Sequence, residues 1–284
     1  MPPALRTLLR SFATHSRAAY TPETIRAAAG LPPTNSATVN RMTPELVFRS
    51  AGLTPDPWQT RYLADTHNRQ LVLACRRAGK TSATAAKTLA HCLTTPDALA
   101  LVFSPTHRQS REFCREVMKF GRSLGAVAKP VRPNQTEVEW ANGARLMSLP
   151  DSHEGVVGFT PSWVVIDEGS RVSDPLYKSV RPMLALGAKF TAISTPFGQR
   201  GWFFDIWDKP SRLNLFHHWR VTADGCPRIS AEFLDEERAE LGDRWFQQEW
   251  YCSFEDAVGA VFSKDVIDAA FDSDAKPLWE MMAV

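Results

Sequence analysis

The sequence predicts an α/β fold with a mostly parallel central sheet flanked by helices. Three observations support this fold class. Short apolar runs alternate along the chain with segments of helical periodicity, as expected for strands joined by right-handed crossovers. Several apolar runs end in polar residues, which suits a site at the carboxyl edge of such a sheet. The 284 residues, 44% of them hydrophobic and 23% charged, can bury one large core or two smaller ones.

Composition narrows the functional classes. A net charge of +2 is nearly balanced, so any affinity for nucleic acid has to come from local patches. The five cysteines contain no Cys-x-x-Cys pair, which favours a reducing compartment without a zinc site or disulfide framework. The pair His217-His218 has no carboxylate or cysteine at ligand spacing and is interpreted as part of a strand. No apolar run approaches membrane-spanning length. These features predict a cytoplasmic protein without a membrane partner.

Residues 1–50 are predicted to form an N-terminal helical arm. Residues 1–22 contain three arginines and no acid, which superficially matches an organellar transit peptide. An N-terminal helix or a disordered arm is the preferred interpretation, because nothing downstream is typical of an organellar protein. Thr21 and Thr43 each place a capping hydroxyl before a proline suited to a first helical turn. Two short helices are therefore predicted, over residues 22–29 and 44–51.

Residues 71–81 carry the first motif, an apolar run and a small-residue turn that lead into Gly79-Lys80-Thr81. Such a turn directs backbone N–H groups at phosphate oxygens, because it lies between a strand and the start of a helix. Gly79 allows close backbone approach, Lys80 can reach the β and γ phosphates, and the Thr81 hydroxyl can ligate Mg²⁺. The full pattern has glycine at the position of Ala74, so the motif alone is a degenerate phosphate-binding loop.

Residues 161–168 carry the second motif, an apolar run that ends in Asp167-Glu168. A buried parallel strand would bring Asp167 to the carboxyl edge of the sheet, where α/β proteins bind ligands. There Asp167 can hold Mg²⁺ through water, and Glu168 can orient and polarise an attacking water. A strand that simply ends in a capping acid is the structural alternative.

Two weaker motifs accompany these. The predicted strand 189–195 ends in the hydroxyls of Ser194 and Thr195, which would lie near the γ-phosphate if this strand is next to the Asp167 strand. Hydroxyls at a strand end can equally cap the following turn. Upstream, Trp58-Gln59 precedes a short helix, and the Gln59 amide offers a donor and an acceptor to an adenine edge. On its own, such a pair more often consists of a tryptophan packed in the core and a glutamine on the surface.

The rest of the sequence predicts the other helices and strands. An Asn142-Gly143 turn predicts a hairpin over residues 136–149. Further elements are predicted as helices at 82–93, 107–124, 174–186, 201–207, 230–241, 243–252 and 264–271, and strands at 98–103 and 215–221.

The predicted helix at 107–124 has two faces. Phe113, Val117, Phe120 and Leu124 recur at spacings of three and four and form an apolar stripe. Basic residues recur in the same way on the other side, at Arg108, Arg111, Arg115, Lys119 and Arg122. This basic stripe can contact a phosphate backbone or a neighbouring subunit. A solvated helix face is the alternative.

Taken in order, these motifs predict a P-loop NTPase that hydrolyses ATP with Mg²⁺. The chain also resembles a known family, the ATPase domain of the large terminase subunit, which is the DNA-packaging motor of tailed bacteriophages. The resemblance covers roughly residues 50–272. It depends on five stretches, Trp58-Gln59, Arg76-Arg77-Ala78-Gly79-Lys80-Thr81, Val164-Val165-Ile166-Asp167-Glu168, Ser194-Thr195-Pro196-Phe197-Gly198, and a tail from Gln248-Glu249-Trp250 to Gly259-Ala260-Val261-Phe262.

The resemblance implies roles for individual residues. Gln59 contacts adenine. Arg76 is the loop arginine that contacts phosphate in cis and, with Lys80 and Glu168, forms the catalytic set. The nucleotide is further held by Arg77, Gly79, Thr81, Ser194 and Thr195, and the metal by Thr81 and Asp167. The segment Ser194-Thr195-Pro196 is similar to the motif that couples hydrolysis to movement on DNA.

The resemblance also implies partners and domains. The partners are double-stranded DNA, a portal protein and a small terminase subunit, and the active form is a homo-oligomeric ring in the host cytoplasm. Residues 51–255 correspond to the ATPase domain, and residues 256–284 to a linker toward an absent nuclease domain. Nuclease activity is not expected, because the acids after residue 264 are interpreted as solvated or capping residues, namely Asp265, Asp268, Asp272 and Asp274.

The sequence departs from the family at one functional position. Relatives have an arginine before the glycine equivalent to Gly158, thought to act on the neighbouring subunit's nucleotide, and this chain has Val157. Either Arg145 or Arg171 substitutes, or hydrolysis is slow, because an arginine finger is worth several powers of ten in rate. Two other functions stay open, a helicase-like DNA translocase and a non-catalytic remnant that binds ATP or DNA without turnover.

Overall fold

The computed structural model describes residues 42–134, 136–151, 158–184, 187–209 and 215–255, together with positions 266 and 270. The helix predicted at 22–29 lies outside these residues, as does most of the one predicted at 264–271. Val157 is also outside them. The proposed boundary near residue 256 falls where the continuous description ends, so the assignment of the flanking segments stays a prediction.

Eight strands in the described part of the chain form one sheet, in the order β3-β4-β5-β2-β6-β7-β1-β8. Five neighbouring pairs, from β5 to β8, are parallel, and β3 and β4 are antiparallel. This confirms the predicted mostly parallel α/β fold and the predicted hairpin. The strands are β1 (Arg69–Ala74), β2 (Leu99–Ser104), β3 (Arg132–Pro133), β4 (Glu137–Glu139), β5 (Arg145–Pro150), β6 (Trp163–Asp167), β7 (Lys189–Ser194) and β8 (His217–Val221).

The helices follow the predicted positions, except that one ends earlier than predicted. They are α1 (Pro44–Ser50), α2 (Pro57–Ala64), α3 (Lys80–Thr94), α4 (His107–Ser123), α5 (Asp174–Val180), α6 (Gly201–Asp208) and α7 (Ala231–Tyr251). The helix predicted at 174–186 is too long. It gives way after Val180 to a 3₁₀ turn, because Pro182 has no N–H to donate to a carbonyl in the preceding turn. In α7 the predicted interruption is present at Gly242, whose φ of 73° breaks the helix in two.

Register brings the ends of three strands together. Strand β7 lies between β1 and β6. Leu73 is opposite Ser194 in the β1–β7 pair, and Ile193 is opposite Asp167 in the β7–β6 pair. The phosphate-binding loop after Ala74, the acidic pair and the hydroxyl pair therefore meet at one carboxyl edge. The sequence predicted β7 beside β6, which is confirmed, but did not predict its insertion next to β1.

Helices cover both faces of this sheet. The central strands are almost entirely buried, as parallel strands covered on both faces should be. Helix α4 buries Phe113, Val117 and Phe120, which confirms the predicted apolar stripe. Helix α1 buries Val47 and Phe48 in the same core, so the end of the predicted arm packs against the ATPase region.

The basic face of α4 is interleaved with acids. Arg115 forms an ion pair with Glu112, and Lys119 lies 3.6 Å from Glu116. Contact of this face with DNA or with a neighbouring subunit stays a prediction. In the described part of the chain, the helices are too short or too polar to cross a membrane.

The aromatic cluster around β7 gives a test of the core. Phe190 is fully buried, and its ring lies 5.8 Å from that of Phe216, with Tyr177 and Trp202 also in contact. Phe190→Ala should lower the free energy of unfolding in urea by about 3–5 kcal/mol, because it leaves a cavity among rigid rings. The control is Leu46→Ala at a side chain that is 47% exposed. Its change should stay within about 0.5 kcal/mol. Equal effects of the two substitutions would contradict the packing described.

Candidate nucleotide-binding site

The phosphate-binding loop joins β1 to α3 and is attached to neighbouring elements by backbone hydrogen bonds. The Cys75 N–H donates to the Val221 carbonyl at 2.9 Å, and the Arg76 N–H donates to the Glu249 carbonyl at 3.0 Å. Arg77 has a left-handed backbone with φ of 58°, and Gly79 caps α3 with φ of 81°. The loop is therefore held from β8 and α7, which lie late in the sequence.

Gln59 supports this loop through hydrogen bonds to its backbone carbonyls. It lies in α2, is only 2% exposed, and its Nε2 donates to the carbonyls of Ala78 and Gly79 at 3.2 and 3.4 Å. Its Oε1 accepts from the Asp56 N–H at 2.9 Å, which completes a capping box at the start of α2. Both ends of the amide are thus bonded within the protein. Contact between Gln59 and adenine stays a prediction.

Arg228 is a second support, one that sequence reasoning missed. Its guanidinium binds both carboxylate oxygens of Asp56, at 3.0 and 3.1 Å from Nε, and donates to the Ala78 carbonyl at 3.1 Å. Such a charged pair fixes the position of the arginine relative to its partner, because the planar guanidinium fits the shape of a carboxylate. Arg228 lies 172 residues from Asp56 in the chain, so no local pattern connects them.

The catalytic carboxylate predicted at Glu168 lies between two cations. Its Oε1 is 3.0 Å from Lys80 Nζ, and its Oε2 is 3.1 Å from Arg171 Nη1. Glu168 has a left-handed backbone with φ of 55°, directly after β6. A non-glycine residue there costs about 1–3 kcal/mol and is a frequent feature of active sites. The structure thus joins the second motif to the first, as the predicted site requires.

Asp167 is suited to a cation. It is 6% exposed, and burial raises the pKa of its carboxyl to about 7, with a further contribution from the charge of Glu168. Lys80 and a hydrogen bond from the Thr81 hydroxyl oppose this rise. An oxygen pair of this kind, a buried carboxylate beside a half-buried hydroxyl, matches the preference of Mg²⁺ for oxygen ligands. The adjoining cavity of about 320 Å³ is lined by Thr81, Asp167 and Glu168 on one side and by α4, with Glu112 and Glu116, on the other, so a hydrated cation has room there.

The hydroxyl pair at the end of β7 is bonded to the turn that follows Glu168. Thr195 Oγ1 accepts from Arg171 Nη1 at 3.2 Å, so one guanidinium contacts both the carboxylate and the hydroxyl motif. The Ser194 and Ser170 hydroxyls lie 2.6 Å apart, and Ser194 Oγ also accepts from the Ser170 N–H. Contact of Ser194 or Thr195 with phosphate stays a prediction.

The two candidate replacements for the missing finger arginine lie in different places. Arg171 is engaged within its own chain, since it also stacks over the Phe197 ring at 4.4 Å. Arg145 opens β5, opposite Leu99 at the amino edge of the sheet, and lies 3.7 Å from Glu137. That edge is opposite the one that carries the phosphate-binding loop.

Both loop arginines contact α7. Arg76 forms a bidentate pair with Glu249, at 2.5 Å from Nε and 3.3 Å from Nη2, and this hydrogen-bonded carboxylate raises the pKa of Arg76. Arg77 lies over the Phe233 ring at 4.6 Å. Sequence reasoning quoted Glu249 in a motif without giving it a role. The phosphate contacts predicted for Arg76 and Arg77 stay predictions.

Fold and site together define a P-loop NTPase, with the phosphate-binding loop, the acidic strand end and a hydroxyl-bearing strand on one sheet edge. Residues 71–268 match the family described as terminase large subunit, T4likevirus-type, N-terminal. The chain therefore belongs to the terminase large subunits, whose role is DNA packaging in bacteriophages, and the resemblance seen in the sequence is confirmed. A comparison with curated protein sequences gave no match.

Solved terminases share the fold. The large terminase ATPase domain of Thermus phage P74-26 is 20% identical, with a TM-score of 0.58 over 73% of this chain and 96% of that one. The large terminase of a thermophilic bacteriophage, solved in complex with ADP, is 14% identical, with a TM-score of 0.57 over 75% and 53%. The HK97 bacteriophage large terminase is 13% identical, with a TM-score of 0.56 over 70% and 50%. The chain spans about half the length of the last two.

Gly79 and Gly52 allow a matched test of the loop. Both have positive φ, but a Cβ on Gly79 would lie 2.5 Å from Gln59 Nε2, whereas one on Gly52 meets nothing within 4 Å. Each glycine-to-alanine change should cost about 1–3 kcal/mol of stability through backbone strain. Gly79→Ala alone should weaken ATP binding tenfold or more, about 1.4 kcal/mol, because Gln59 and the loop must shift. Calorimetric titration with ATP and Mg²⁺ measures this, and equal affinities for the two variants would refute the support role of Gln59.

Proposed function

We propose that this chain is an ATP hydrolase whose turnover drives double-stranded DNA into a phage prohead. The observation that supports it best is the position of Glu168 between Lys80 and Arg171, next to buried Asp167 and its hydrogen-bond partner Thr81. A general base, a phosphate-binding lysine and a metal-suited oxygen pair are the components that phosphoryl transfer to water requires. The large terminase of the thermophilic bacteriophage has been solved with ADP and with ATP-γ-S, which supports nucleotide binding by this chain.

In the proposed mechanism ATP competes with Glu168 for Lys80. The triphosphate oxygens accept hydrogen bonds from the loop N–H groups. The Lys80 ammonium moves from Glu168 to the β and γ oxygens. Glu168 Oε1 is then free to accept a hydrogen bond from a water in line with the γ-phosphorus. As the water oxygen attacks, Glu168 takes its proton, the bond from the γ-phosphorus to the bridging oxygen breaks, and ADP leaves with that oxygen. Arg171 keeps hold of Oε2, so the carboxylate stays oriented while its other oxygen is released. Arg76 would add positive charge next to the γ-phosphate if its guanidinium left Glu249 and bound a phosphate oxygen.

Thr81 and Asp167 are the residues that would hold Mg²⁺. The ion, when bound, supplies neutralisation of charge on the β and γ oxygens. Coordination requires an ionised Asp167, and burial in the free protein favours the protonated form. Binding of Mg²⁺ is therefore linked to loss of a proton from Asp167, and it should weaken as the pH falls.

The proposed coupling to movement passes through Arg171. Its guanidinium contacts Glu168 after β6 and Thr195 after β7, so a shift of the carboxylate on hydrolysis would move the Ser194-Thr195 motif.

The family further supports a homo-oligomeric ring, a portal protein and a small terminase subunit as partners, and the host cytoplasm as the location. The exposed basic face of α4, near the site, is the candidate DNA or subunit contact within residues 51–255.

Glu168→Gln tests the hydrolase directly. Phosphate release from ATP and Mg²⁺ should fall by about 10²–10⁴-fold, because the amide cannot accept the proton. ATP binding should persist, because Lys80 and the loop N–H groups are intact. The measurement is run with and without double-stranded DNA, with Glu45→Gln, a surface residue paired to Arg49, as the control that should match the native chain.

Two outcomes would contradict the proposal. Tight ATP binding with no turnover by the native chain, even at concentrations where rings assemble, would favour the non-catalytic remnant. Turnover that survives Glu168→Gln would show that another residue is the base. Translocation on DNA without any dependence on a portal-bearing prohead would favour the helicase-like alternative.

Arg171→Lys tests the coupling. A lysine keeps the charge but cannot bond Glu168 and Thr195 with one planar group. We expect kcat to fall tenfold or more, about 1.4 kcal/mol, with little change in KM for ATP. The DNA-stimulated part of the rate should fall more than the basal part. Arg49→Lys on the surface of α1 is the control, and a native pattern of basal and stimulated rates in Arg171→Lys would rule out a coupling role.

A further inference from the structure

A second cluster of metal-ligating side chains lies at the opposite edge of the sheet. Asp65 and His67 are in the connection between α2 and β1, and His217 opens β8. Asp65 Oδ1 is 2.6 Å from His67 Nδ1, and Asp65 Oδ2 is 2.7 Å from His217 Nδ1. One ligand atom from each residue lies within 4.8 Å of the others. The sequence interpretation of His217 as a simple strand residue missed this cluster, because Asp65 is 152 residues away.

The carboxylate in this cluster carries its charge without a lysine or arginine bonded to it in the described structure. The Asp65 side chain is 4% exposed, and its oxygens accept from the Trp219 indole at 2.8 Å and the His67 backbone N–H at 2.9 Å. The nearby Lys87 ammonium donates to the backbone carbonyl of Asp65 at 2.8 Å. The carboxylate is therefore bonded by two imidazoles, an indole and a backbone N–H, and the cluster is open to solvent at His67.

The arrangement has the features of a metal site. Two imidazoles and one carboxylate form a ligand set found with divalent transition ions. The Trp219 indole fixes the carboxylate in the way that outer-shell partners orient metal ligands. The His67 side chain is 65% exposed, so an ion can enter and keep water in an open position. Tetrahedral Zn²⁺ at about 2.0–2.1 Å from each ligand requires ligand atoms about 3.3 Å apart, a small outward shift that His67 can make.

We propose that Asp65, His67 and His217 form a binding site for one divalent transition ion of the zinc class, held by two imidazole nitrogens and one carboxylate oxygen. The site lies about 20 Å from the phosphate-binding loop, since β1 is six residues long. It joins the α2–β1 connection to the first residue of β8. Since β8 supports the loop at its other end through Val221, the ion stabilises the strand that holds the nucleotide site.

The test uses the whole chain without an affinity tag, after treatment with a chelator and dialysis. Zn²⁺ is titrated by calorimetry in excess Mg²⁺, which saturates oxygen-only sites such as Asp167. We expect one Zn²⁺ per chain and a rise in Tm on binding. Affinity should fall tenfold or more in His67→Ala and in His217→Ala, and by about 10–100-fold in Trp219→Phe through loss of the orienting bond. His67 is exposed, so His67→Ala is expected to fold.

His107→Ala, which removes an exposed histidine outside the cluster, is the matched control and should bind Zn²⁺ as the native chain does. Absence of binding to the native chain would overturn the proposal. So would binding that persists in His67→Ala and His217→Ala but disappears in Cys226→Ser, because that would assign the ion to the buried thiols, where the Cys75 and Cys226 sulfurs lie 4.0 Å apart. ATP turnover is not the readout, so failure here leaves the proposed hydrolase untouched.

Discussion

In-register parallel pairing of β1, β7 and β6 is the constraint on which the rest of the molecule depends. Parallel strands end at a common edge, and the pairing of Leu73 with Ser194 and of Ile193 with Asp167 fixes that edge to within a residue. A slip of one residue would turn every buried side chain of β7 to the other face. Because these strands are covered on both faces, such a slip would disrupt the packing of the core as well as the alignment of the site residues. The same burial that stabilises the fold therefore positions the chemistry.

The phosphate-binding loop is stabilised mainly by residues distant in sequence. Its carbonyls bond Gln59 and Arg228, its N–H groups bond Val221 and Glu249, and none of these partners belongs to the motif. A loop rich in left-handed and cap conformations has little intrinsic stability, so external bonds must fix its shape before phosphate arrives. Glu249 adds a bidentate charge pair to Arg76, worth more than a neutral hydrogen bond. Helix α7 thus belongs to the nucleotide site as much as the motif does.

The sequence predicted the elements and their motifs because those signals are local. Apolar runs with polar ends identify β1, β6 and β7, and the Asn142-Gly143 turn identifies the hairpin. What could not be predicted is contact between distant segments. The insertion of β7 beside β1, the Arg228–Asp56 pair and the approach of His217 to Asp65 each depend on strand order. The end of α5 is a different kind of error, since the Pro182 signal that ends the helix was present in the sequence.

The ion pairs of Glu168 explain how the proposed site would be stable before ATP binds and reactive afterwards. Lys80 and Glu168 are both largely shielded from water, and removing one partner from such a pair costs several kcal/mol because the other charge is left uncompensated. A triphosphate offers Lys80 several negative charges in place of one, so the exchange is favourable for the lysine. For Glu168 it is not, unless a second cation remains, and Arg171 is that cation. In the proposed mechanism, the arginine lets the carboxylate lose Lys80 without being expelled to solvent, and the oxygen released next to the γ-phosphate follows from that retained bond.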